Sequence, residues 1–104
     1  TLYVTYQESS KLVKIPLSDP SNYEDVNLNP IGPDFSSVSL KPHEIIFAPD
    51  YSKYFVTCQD VNQVRVFDAA TDQLIKVIPV GVYPLEFAMS AENNLLFVTN
   101  KKLE

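Results

Sequence analysis

Residues 42–81 carry a pattern that begins again immediately afterwards. PHEIIFAPDYSKYFVT returns as PLEFAMSAENNLLFVT, so that Pro42 matches Pro84, Phe55 matches Phe97, Val56 matches Val98 and Thr57 matches Thr99, each pair 42 positions apart. A period of this size, built of short β-rich runs separated by polar turns, describes one small sheet that must stack against copies of itself to cover its apolar faces. The repeat therefore constrains architecture much more tightly than activity.

The complete unit divides into four strand-like runs. Residues 43–48 are apolar and end at the turn Pro49-Asp50-Tyr51-Ser52; residues 54–58 form the second run. Residues 63–67 alternate apolar Val64 and Val66 with polar Gln63 and Arg65, and residues 74–80 form the fourth run. Alternation and short apolar runs of this length fit strands joined by hairpins. Pro16, Pro30, Pro33, Pro42, Pro49, Pro79 and Pro84 break any longer helical register.

Toward the N-terminus the same order recurs without its first strand. Residues 2–5 correspond to 54–57, residues 12–15 to 63–66, and residues 30–32 to 79–81. Gly32 and Pro42 lie 10 positions apart where Gly81 and Pro84 lie 3 apart, so residues 33–41 hold an insertion of 7 residues in the connection between units. The segment 84–100 supplies only the first two strands of a further unit. The expected fold is all-β: antiparallel four-stranded meander blades of a β-propeller, an incomplete ring of about nine strands with little or no helix.

Composition narrows the function classes. The chain of 104 residues is 45% hydrophobic and 20% charged, with a net charge of −5, and its eight Lys and Arg are scattered. A nucleic-acid footprint needs basic residues gathered on one face, so no nucleic-acid partner is expected. No apolar run approaches the roughly 20 residues of a membrane helix, and no membrane span is expected. The start at Thr1 suggests a piece of something longer, and Leu103-Glu104 resembles the dipeptide a cloning site leaves before a tag. One cysteine, Cys58, excludes an internal disulfide, and neither CxxC nor CxxCH occurs.

P-x-E-I-x-F-x-P-D over residues 42–50, Y-F-V-T over 54–57, V-x-V-F-D-x-x-T over 64–71 and I-P-V-G over 78–81 together resemble the YVTN-type β-propeller repeat. That repeat is shared by surface-layer propellers, lactonase-like propellers and the propeller domains of haem d1 and nitrous oxide reductases. Residues 2–5 and 96–100 carry it in part. The resemblance implies a ring of about seven blades, hence roughly 300 residues, of which this chain holds about two and a half blades. It also favours a periplasmic or cell-surface location. The sequence departs from the pattern where Tyr51 replaces the turn glycine after Asp50, and where Cys58 and Tyr6 replace the terminal Asn that Asn100 keeps. Tyr51 is expected to be tolerated as an ordinary type I turn residue.

Candidate chemistry is sparse. His43, the sole histidine, opens a first strand whose end faces the central channel in such propellers, and histidines near that channel bind metal in the copper-containing relatives. A metal site needs three or four convergent ligands, and the repeat places Leu85 at the next equivalent position, which favours a channel-mouth or packing residue. Glu44 and Glu86 occupy the same place in successive units; they are either a carboxylate pair for cation or acid–base work, or acceptors for backbone donors at the start of each first strand. Recurrence favours the structural role, because catalytic carboxylates are set apart by unlike surroundings. Cys58 shares a strand face with Tyr54 and Val56 and reads as a buried, inert thiol. Asp50, Asp60, Asp68 and Asp72 read as turn residues. With two glycines, Gly32 and Gly81, no phosphate-cradling loop and no G-x-S-x-G can form. Phe35, in the insertion, is a candidate anchor for a partner.

The expectation is a non-catalytic scaffold or binding module within a larger extracytoplasmic propeller, with no cofactor, holding a protein or polysaccharide through loops and the disc face. The alternative is the propeller domain of an enzyme, a lactonase-like hydrolase or a haem or copper reductase, to which this stretch contributes scaffold. Open blade edges at both ends also point to self-association.

Overall fold

The computed structural model describes residues 1–30 and 39–101. Among the described residues there are nine strands: β1 (Leu2–Tyr6), β2 (Lys11–Ile15), β3 (Glu24–Asn27), β4 (Pro42–Phe47), β5 (Lys53–Cys58), β6 (Gln63–Asp68), β7 (Leu74–Pro79), β8 (Pro84–Ser90) and β9 (Leu95–Asn100). All pairings are antiparallel, and the strands form three separate meanders: β1-β2-β3, β4-β5-β6-β7 and β8-β9. No helix occurs among the described residues. The first, second and third sheets are here termed blades one, two and three.

The repeat is kept to the level of individual hydrogen-bonded partners. Pro42 pairs with Cys58 and Ile45 with Val56 across a bulge; 42 positions on, Pro84 pairs with Asn100 and Phe87 with Val98 across the same bulge. Lys41 and Tyr83, each preceding the proline that starts a first strand, both adopt left-handed φ values, 54° and 60°. A residue before proline is already restricted, so two such corners at equivalent positions mark a device of the fold that starts β4 and β8 in the same way.

Blade one corrects the sequence alignment by one residue. Thr5 pairs with Leu12 as Thr57 pairs with Val64, so Leu12 is the counterpart of Val64, not of Gln63. A slip of one residue exchanges the two faces of a strand, and the corrected register turns Leu12 and Lys14 toward blade two. Leu12 is fully buried there, in one cluster with Val26, Leu28, Leu40, Tyr54, Val56, Cys58 and Phe67. The third strand of blade one lies earlier than the sequence match to residues 79–81 placed it: β3 is Glu24–Asn27, and Ile31 and Gly32 lie outside the described residues, as do Phe35 and the final dipeptide Leu103-Glu104.

Arg65 does not face water as its place in an alternating strand suggests; it is 4% exposed. Val64, Arg65, Val66 and Phe67 are all buried, so β6 is covered on both faces, and Arg65 and Phe67 pack toward blade one. The Arg65 guanidinium reaches back to blade one, where Nη1 donates to the Leu28 carbonyl and to Asn29 Oδ1, both at 2.9 Å, while Nε donates to Gln63 Oε1. Burial lowers its pKa from the ordinary arginine value.

Tyr51 is also placed otherwise than the sequence suggests. It sits at φ 60°, a left-handed conformation that costs a bulky side chain about 1–2 kcal/mol. Its ring is 73% exposed and gains only a tilted contact with Phe47 at 6.1 Å. Tyr51→Gly is expected to stabilise the chain by about 0.5–1 kcal/mol, read as a higher urea midpoint at unchanged slope. A lower midpoint would show that the Phe47 contact outweighs the backbone strain.

Candidate functional site

The residues singled out by the repeat gather where β4 and β8 begin. Pro42 and Pro84 are buried there, and each is followed by a residue of the candidate set. His43 is exposed, and its backbone carbonyl accepts a hydrogen bond from Thr5 Oγ1 of blade one at 2.8 Å. Glu44 is half-buried. Its backbone N–H donates to Thr57 Oγ1 at 2.9 Å, and its carboxylate Oε2 accepts the backbone N–H of Phe87 in blade three at 3.3 Å. Glu86 is exposed, with its N–H donating to Thr99 Oγ1 at 3.1 Å.

These bonds are one motif repeated. Thr5 donates to His43 O, and Thr57 donates to Leu85 O at 3.1 Å, so the second-strand threonine of one blade grips the first strand of the next. Glu44 adds a charged acceptor for the N–H exposed at the neighbouring bulge. Charge-assisted bonds of this kind are stronger than neutral ones. Thr99, on blade three, turns back to the Glu86 carbonyl at 3.5 Å. Thr57→Val removes the acceptor for Glu44 N and the donor to Leu85 O at a fully buried position. It is expected to cost about 1–3 kcal/mol, whereas Thr99→Val, on the exposed strand, is expected to cost less than about 0.5 kcal/mol by urea unfolding.

The outer part of the same seam is held differently. Lys14 Nζ of blade one lies 2.9 Å from Asp72 Oδ2 and 3.3 Å from Glu24 Oε1, and Asp72 Oδ1 accepts the Tyr54 hydroxyl at 2.9 Å. The hydrogen bond with Asp72 raises the Lys14 pKa above the ordinary lysine value, against the opposing effect of burial. Asp72 is thus more than the turn residue expected, although its φ of 60° and its backbone N–H bond to Asp68 O show that it is that as well. Sequence reading missed it because its partners lie 18 and 58 residues away. Asp68 and Asp50 follow expectation: Asp68 Oδ1 accepts from Ala70 and Thr71, and Asp50 Oδ1 accepts from Ser52, which lowers the Asp50 pKa.

Beneath this polar layer lies an aromatic packing unit from both blades. The Tyr54 ring stacks on Phe67 at 5.4 Å and 16°, with Phe47 at 5.4 Å and Tyr3 at 5.7 Å from it. Cys58 is buried on the same side, and removal from water pushes its thiol up to about 12, so it is no nucleophile at neutral pH. Among the described residues no group of three or more His, Cys, Asp and Glu side chains comes together as metal ligands, and His43 stands apart from such a group.

No family model matches the chain. The "Uncharacterized protein YncE" of Salmonella typhimurium (strain LT2) is 33% identical over 58 residues, which make up 56% of this chain and 16% of that protein. The protein of the same name from Salmonella typhi is 31% identical over 58 residues, again 16% of its length. The chain therefore spans a small part of these relatives, and the similarity concerns a segment, not a whole protein.

Proposed function

We propose that the chain is a scaffold or binding module without catalytic activity of its own, part of an extracytoplasmic β-propeller of the YVTN type that holds a protein or polysaccharide on its loops and disc face. The observation that supports this reading is the use to which the polar residues at the seams between blades are put. Glu44, Thr57, Asp72 and Arg65 are all engaged in joining one blade to another. The seam threonine recurs as Thr5 and Thr57, as a packing device would, whereas a reacting centre needs a singular arrangement.

The test compares binding with turnover. Soluble polysaccharide fragments are titrated against the chain by calorimetry, and a lactone is incubated with it under the same conditions. Saturable binding without lactone opening agrees with the proposal. Lactone opening that is lost in Glu44→Gln or Glu86→Gln would establish the enzyme reading in its place. Self-association is a second reading, supported by exposed Leu2 and Tyr6 on β1 and exposed Leu95 and Phe97 on β9.

A further inference from the structure

Arg65 carries a buried positive charge that no negative charge answers. Its acceptors are the Leu28 carbonyl, Asn29 Oδ1 and Gln63 Oε1, and all three are neutral. Every ion pair among the described residues is made by a lysine, Lys11 or Lys14. Burial lowers the Arg65 pKa, and Cys58 is the titratable group that opposes this; its own thiol is pushed up to about 12 by burial and stays uncharged at neutral pH. A guanidinium offers five N–H donors, and the bonds named use Nε and Nη1, so the two donors of Nη2 meet no acceptor among the described residues. A buried cation held by neutral dipoles alone is costly, and a counter-ion relieves the cost.

A second unanswered donor lies beside it. Asn29 is 7% exposed, and its buried Nδ2 has no hydrogen-bond partner. Turning an amide over often removes such an orphan. Here it cannot, because Oδ1 accepts from Arg65 Nη1 at 2.9 Å and the turned amide would set its NH₂ against the guanidinium. Nδ2 is therefore held within about 5 Å of Nη1 by the planar geometry of the amide. Gln59 Nε2, also buried without a partner, is a different case, since Gln59 and Gln7 can turn over together and keep their bond.

We propose that Arg65 and Asn29 form a binding site for one small monovalent inorganic anion of chloride size, which neutralises the guanidinium and ties β6 to the segment after β3. The burial of both side chains disfavours a bulky or strongly hydrated anion, and a single cation is balanced by a single negative charge, so sulfate and phosphate fit poorly. This inference concerns the seam between blades one and two and is independent of the disc-face reading above.

The test unfolds the 104-residue chain in urea while sodium chloride replaces sodium gluconate at constant ionic strength. Chloride should raise the urea midpoint saturably at unchanged slope, as an ion that binds only the folded chain does. Asn29→Leu should weaken the apparent chloride affinity by at least about tenfold. Arg65→Met, which removes the charge and keeps an apolar stem in the seam, should abolish the response to chloride. Bromide soaked into crystals of the unaltered chain gives a reading that needs no variant: its anomalous peak should lie within hydrogen-bonding distance of Arg65 Nη2 and Asn29 Nδ2. A midpoint indifferent to chloride, undiminished affinity in Asn29→Leu, a persisting response in Arg65→Met, or bromide found only elsewhere would each overturn the proposal.

Discussion

Tyr54→Ala is expected to lower the unfolding free energy by about 3–5 kcal/mol, the usual cost of deleting a fully buried aromatic. Tyr54 is 0% exposed and holds two blades together through its ring, which touches Tyr3, Phe47 and Phe67, and through its hydroxyl, which donates to Asp72. Domains of this size have only about 5–15 kcal/mol in hand, so the variant should lose a large share of that margin and unfold at a much lower urea midpoint. Tyr54→Phe separates the two contributions. It keeps the ring and leaves Asp72 with Lys14, at an expected cost of about 1–2 kcal/mol. Urea unfolding of both variants checks the division, and equal losses would show that the hydroxyl and not the packing carries the seam.

Stability should also fall steeply in alkaline solution. Cys58, Tyr54 and Lys14 all have pKa values raised in the folded chain, the first two chiefly by burial and the third by Asp72. A raised folded value means that the unfolded chain releases its proton first. The stabilisation is therefore complete below the unfolded values and is lost as pH climbs toward the folded ones. Cys58 sets the onset near its ordinary value of 9.0, and Tyr54 joins near 10.0. At about 1.4 kcal/mol per pH unit for each group, the two together remove about 4 kcal/mol by about pH 11. Urea midpoints measured across this range should drop accordingly. Cys58→Ala should start from a lower midpoint and begin its alkaline decline about one pH unit later. A flat profile from neutral to about pH 11 would mean that both groups reach solvent in the folded chain.

The seam also explains what could be read from residues and what could not. The matched Pro42/Pro84 and Thr57/Thr99 pairs were visible as letters, and in the folded chain they occupy equivalent pairing positions. The threonine bond to the next blade was not visible, because Thr5 and His43 are 38 residues apart and meet only when two sheets stack. Glu44 illustrates the same limit. Its recurrence with Glu86 left open whether the carboxylate served chemistry or a backbone donor, and the structure directs it to Phe87 N. Phe35 lies outside the described residues, and the geometry of His43 brings only its carbonyl, not its ring, into a bond between blades.

Local chemistry by itself determined the all-β class, the hairpin order of residues 42–81 and the burial of Cys58, since period, turn residues and apolar alternation are properties of neighbouring residues, whereas β3 was not read at residues 24–27. Tertiary structure alone decided the register of β2, the burial of Arg65 and the part played by Asp72. Each of these depends on which face of one sheet meets which face of the next. A periodic strand has two faces of similar character here, and only the packing of a neighbouring blade distinguishes them.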